Sequence, residues 1–84
     1  MININYDNKY DVLYITFSDK ESRKNSLGDE EYNGLVVMRD KKTNNITGLI
    51  VMGFSDKYKK NKIPVFPPEI TLNVEKDVVP FISF

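Results

Sequence analysis

Asp7, Asp11 and Asp19 carry hard oxygen donors of the kind that bind calcium or magnesium, and they cluster in the first quarter of the chain. Asp7 and Asp11 flank one turn. Asp19 lies at the far end of the following stretch, about 26 Å from Asp11 if that stretch is a straight strand rising ~3.3 Å per residue. One ion cannot span that distance, and the spacing lacks the alternating ligands and terminal glutamate of a calcium loop. Turn capping and solvation are therefore the expected roles of Asp7 and Asp11, and no metal site is expected. The other concentration of charge is basic: Lys57, Lys59, Lys60 and Lys62, with Tyr58 among them, could meet a phosphate backbone or an acidic protein surface. Asp29-Glu30-Glu31 is its acidic counterpart. Each run also reads as a solvated loop.

What is missing narrows the chemistry further. The chain has no histidine and no cysteine, which removes the usual general base near neutral pH, the thiol nucleophile and the common zinc ligands. No Gly-rich phosphate loop, nucleophile triad or paired-carboxylate geometry can be assembled. No catalytic residues and no cofactor are expected, and the chain reads as a non-enzyme. Its 12 basic and 12 acidic side chains cancel, so there is no global attraction to nucleic acid or an anionic membrane. No apolar run approaches membrane-spanning length, and Met1-Ile2-Asn3-Ile4-Asn5 alternates where a signal peptide would be basic and then apolar. A cytoplasmic protein is the expectation.

The elements that must position these residues are mostly strands. Eighty-four residues make one small domain, residues 1–84, with a sheet core over 1–54 and a short helix and extended arm over 55–84. The organising stretch is Asp11–Ser18, where Leu13, Ile15 and Phe17 share one face and Val12, Tyr14 and Thr16 the other. Ile2, Ile4 and Tyr6 form the inward face of a strand before it, and Asn8-Lys9 centres the connection. Residues 19–33 read as a charged loop with room for one short ordered piece. A third strand is expected over Tyr32–Arg39, and Asp40–Asn45 turns it into a fourth over Ile46–Phe54, whose two faces are both apolar. The expected class is α+β and β-rich, an antiparallel meander of four to five strands.

Ser55 is a candidate N-cap for a short helix near 56–62 that ends before Pro64. Beyond it, Ile70, Leu72 and Val74 alternate as a fifth strand or as an arm lying across the sheet. Pro80 makes the last ten residues an edge or an arm.

With the strands placed, Tyr6-Asp7-x-x-x-Asp11-x-Leu13-Tyr14-Ile15, then Gly34-Leu35-Val36-Val37 and Ile46-x-Gly48-Leu49, resembles the small bacterial and phage family catalogued as domain of unknown function 2283, over roughly residues 2–54. The resemblance implies a small β-meander packed on a short helix and supplies no activity. It would also put an acid where Met38 stands, a glycine within Thr43-Asn44-Asn45 and often a glutamate where Ile50 stands.

Two apolar sheet faces on so small a chain call for a cover, either this chain's own C-terminal arm folded back in a monomer or another subunit. The candidate interface is Tyr14, Met38, Ile50, Met52, Phe81, Ile82 and Phe84, used in a homodimer or with another protein. The expected function is a protein-interaction module, such as a phage or mobile-element accessory or inhibitor. The alternatives are a regulatory nucleic-acid binder using the 57–62 lysines and a structural assembly protein.

Overall fold

The computed structural model describes residues 2–17, 26–32, 34–63 and 65–82, with residues 31 and 32 described by backbone alone. Asp19 and Phe84 thus lie outside the described residues. Five strands form one antiparallel sheet: β1 (Asn3–Asp7), β2 (Val12–Thr16), β3 (Ser26–Tyr32), β4 (Leu35–Asp40) and β5 (Ile46–Met52). Their spatial order is β1-β2-β5-β4-β3. This is the expected antiparallel, β-rich class, with one short helix, α1 (Phe54–Lys59), and an extended C-terminal arm, but it is not the expected meander, because β2 takes the last strand, β5, as its neighbour and not the strand that follows it. The hairpins run β1–β2 and β3–β4–β5, and the two pieces meet where β5 pairs with β2, from Val12 opposite Met52 to Thr16 opposite Gly48. β2 and β5 are the strands with fully buried apolar side chains closest to the centre, so pairing them puts Leu13, Ile15, Leu49 and Val51 in the middle of one face.

That face is the core. Leu13, Ile15, Leu35, Val37, Leu49 and Val51 are fully buried, with Phe54 from α1 and Val78 from the arm pressed on them. Each such side chain contributes roughly 1.5–3 kcal/mol relative to exposure. Ile63, Phe66, Ile70, Leu72, Val74 and Ile82 pack around them. Val12, Tyr14, Val36, Met38, Ile50 and Met52 alternate to the other side and remain half-buried or exposed.

Several element boundaries differ from the sequence reading. Residues 26–32 form β3 where a loop was expected, and the following strand starts at Leu35, not Tyr32. β3 is a polar edge strand with Leu27 63% exposed, and residues 26–30 bury no side chain that would write an apolar alternation into the sequence. Of the two placements expected for residues 70–73, the arm is the one found: they keep the inward alternation, join no sheet and lie over the core. The chain then coils into a π-helical turn, Val74–Val78, and a 3₁₀ turn, Val79–Phe81, where an extended edge was expected. Asn73 caps that coil: its side chain accepts from the Lys76 N–H at 3.1 Å, and its own N–H donates to Asp77 Oδ2 at 2.8 Å.

The helix spans 54–59, shorter and earlier than expected, and its N-cap residue is Gly53 and not Ser55. Gly53 is left-handed at φ 66°, which lets the chain reverse out of β5. Phe54 then points into the core, and the Tyr58 ring, one turn later, stacks on it at 6.0 Å. Among the described residues no helix is long and apolar enough to cross a membrane.

Candidate functional site

The first site residues to place are the aspartates. Asp7 Oδ1 accepts from the backbone N–H groups of Lys9 (3.0 Å) and Tyr10 (3.3 Å), so it builds the β1–β2 turn. Asp11 closes the same turn in a left-handed conformation, φ 56°. Its carboxylate accepts from the Tyr6 hydroxyl at 2.5 Å and from the Ser55 N–H at 2.8 Å, with Asp56 N–H at 3.4 Å. Its backbone carbonyl accepts from Phe54 N–H at 3.0 Å. A residue 44 positions upstream thus satisfies the orphan donors at the start of α1 and places negative charge there.

The electrostatics follow from this geometry. Burial pushes the Asp11 carboxyl upward, but the hydrogen bonds from Tyr6, Ser55 and Asp56 together outweigh it and hold the group below the ordinary aspartate range. Burial raises the Tyr6 phenol, and donation to Asp11 raises it further. Tyr6 also packs edge-on against Phe54, with ring centres 6.1 Å apart. The motif Tyr6-Asp7-x-x-x-Asp11 is therefore a clamp joining the first hairpin to the helix. Among the described residues no three acidic side chains gather as a metal site.

The lysine patch comes together only in part. Lys57 folds back so that its Nζ donates to the Met52 carbonyl, and it lies against Gly34. Lys60 pairs with Asp56 at 3.2 Å. The Tyr58 ring is stacked on Phe54 and half-buried. Lys59 and Lys62 are exposed. The acidic run Asp29-Glu30 lies on β3, where Glu30 Oε2 accepts from the Gly34 N–H at 3.2 Å.

The apolar candidates divide by face. Strand register sets Tyr14 beside Ile50 and Ile50 beside Val36 in one row, with Asn5 and Glu30 at its two ends. The next row runs Asn3, Thr16, Gly48, Met38, Gly28. Val12 and Met52 sit opposite each other on the far side. An apolar centre is thereby rimmed by polar side chains, the anatomy of a protein interface. Gly48 leaves a dimple of about 150 Å³ between Tyr14, Thr16, Met38 and Ile50, room for a group of about the size of benzene. Gly48 is required there, because a Cβ would stand 2.9 Å from the Ile15 carbonyl oxygen. Met38 lies over Gly28, where an added Cβ would meet its sulfur at 2.8 Å. Tyr14 and Met52 are each 39% exposed, and the described residues place no segment over this face.

The described C-terminal candidates, Phe81 and Ile82, do not join them. Ile82 packs on the protein's own core, so the arm acts as a lid in cis. Phe81, 71% exposed, stands beside Ile2, Ile4 and Asp77 at the β1 edge. Sequence reasoning missed the role of Asp11 as a helix cap, because its partners lie far along the chain. Comparison with protein families, with characterised proteins and with solved structures returned no match to this chain.

Proposed function

We propose that this chain is a non-enzymatic protein-interaction module that docks a partner protein on the open face of its sheet. The observation that carries the reading is the continuous apolar centre of Val12, Tyr14, Val36, Met38, Ile50 and Met52, rimmed by Asn3, Asn5 and Glu30 and uncovered by the described residues. The partner it suits presents an uncharged apolar surface with a side chain that fills the dimple at Gly48. Where the resemblance to the bacterial and phage family would have carboxylates, Met38 and Ile50 supply apolar area, which favours protein contact over ion binding. An accessory or inhibitor role in a phage or mobile element is consistent with that resemblance.

The lysine patch supports a nucleic-acid reading less well, since Lys57 and Lys60 already have partners within the chain. A photo-crosslinking residue at position 50, compared with one at exposed position 41, tests the proposal in lysate of the native host. We expect a discrete protein adduct from position 50 alone, competed by unlabelled protein and not by the Ile50→Glu variant. Salt-sensitive binding to duplex DNA that persists in Ile50→Glu and disappears with Lys59→Glu and Lys62→Glu would reverse the reading.

A further inference from the structure

The two edges of the sheet are built differently. β3 carries Asp29, Glu30 and Glu31, and its register with β4 shifts between Glu30 and Tyr32. Charge and irregular register are the devices that stop an edge strand from pairing with another chain. β1 has neither. Its five pairs with β2 run without a shift, from Asn3 opposite Thr16 to Asp7 opposite Val12, and Ile2 through Tyr6 contains no charge and no proline. An open groove lined by Ile2, Asn3, Ile4, Asp77 and Phe81 runs beside it. Ile2 is 51% exposed and Phe81 71%, so apolar side chains flank the uncharged part of this edge.

We infer that the β1 edge is a self-association site, where β1 of a second copy adds antiparallel to form one sheet of ten strands. The occupant is argued from self-complementarity. A twofold axis through Ile4 sets Ile4 opposite Ile4, Ile2 opposite Tyr6 and Asn3 opposite Asn5. Apolar side chains then meet on the core face, where Ile4 and Tyr6 already pack, and amides, each both donor and acceptor, meet on the open face. No charge faces a like charge across the joint, and the neutral chain adds no long-range repulsion. A slip of one residue would set amides opposite isoleucines, so the register is specified. One added strand per copy is a small interface, which places the dimer in the weak, micromolar class. This inference stands apart from the open-face reading, because it uses the strand edge and leaves Tyr14, Met38 and Ile50 uncovered.

Sedimentation equilibrium of the full chain across micromolar to millimolar concentration tests it. Asn3 and Asn5 are exposed, so substituting them spares the core. Asn3→Lys with Asn5→Lys puts lysine opposite lysine twice and is expected to weaken the dimer about tenfold. Asn3→Lys with Asn5→Glu puts lysine opposite glutamate and should restore it. Amide hydrogen exchange supplies the second readout: protection of residues 2–6 should rise with concentration in the wild type and not in the double-lysine variant. A hydrodynamic mass that stays monomeric to millimolar concentration would overturn the inference. So would a dimer indifferent to both double variants but lost in Ile50→Glu, which would move self-association to the open face.

Discussion

At the scale of single residues, Asp11 holds the most consequential position in the chain. It combines a left-handed backbone, a helix cap and the acceptor for a half-buried phenol. Asp11→Ala removes the cap and the acceptor and leaves a residue strained in the left-handed conformation, so it should destabilise the fold by about 2–3 kcal/mol in urea titration. Asp11→Asn keeps an acceptor oxygen and tolerates the same backbone, so it should cost about half as much. The pH dependence has a fixed sign. Because the folded-state carboxyl is held below its ordinary range, its stabilisation is complete above that range and is lost as pH falls through the folded value. Tyr6 works in the opposite sense: its raised phenol stabilises the fold below the ordinary tyrosine range, and that contribution is lost as pH rises through the folded value. Thermal melts of the wild type should therefore decline at acid pH more steeply than those of Asp11→Asn. The sequence made Asp7 and Asp11 legible as turn residues, since Asx chemistry is local. It could not reveal that the carboxylate of Asp11 caps a helix, because that bond depends on how β2 and β5 dock.

Among elements, the arm is the test of what covers the core. Truncation before Val74 removes Val78, which is fully buried, and Ile82, which packs beside it. The shortened chain should lose several kcal/mol and bind a hydrophobic dye, measured by urea denaturation and dye fluorescence. The central strands were readable because both β2 and β5 write a period of two in Leu, Ile and Val. The Asp40–Asn45 turn was equally plain: Asp40 Oδ1 accepts from the Lys42 and Thr43 N–H groups, and Asn44 is left-handed at φ 62°. β3 was not readable by apolar pattern, yet a turn signal for it existed. The Asn33-Gly34 pair favours a tight hairpin, and Gly34 does take φ 81° between β3 and β4. The coil at the C-terminus also left a trace, since the inward residues change spacing from two (Ile70, Leu72, Val74) to four (Val74, Val78, Ile82).

On the scale of the whole molecule, the sheet has one committed face and one available face. Paired substitutions separate them: Tyr14→Ser with Met52→Gln, at half-exposed side chains, should change unfolding free energy by no more than about 0.5 kcal/mol. Leu13→Ala, one residue away and fully buried, should cost about 2–5 kcal/mol. Equilibrium denaturation of both variants checks the contrast. The joining of β2 to β5 also sets a schedule for synthesis on the ribosome. Thr16 emerges 36 residues before Met52, a delay of roughly 2–7 s at about 5–20 residues per second. During that interval the first hairpin has no neighbour for β2, and Asp11 has no helix to cap. The nascent chain must therefore carry the β2 edge unpaired until β5 arrives, and Leu13 and Ile15 uncovered for longer still, until Phe54 and then Val78 follow.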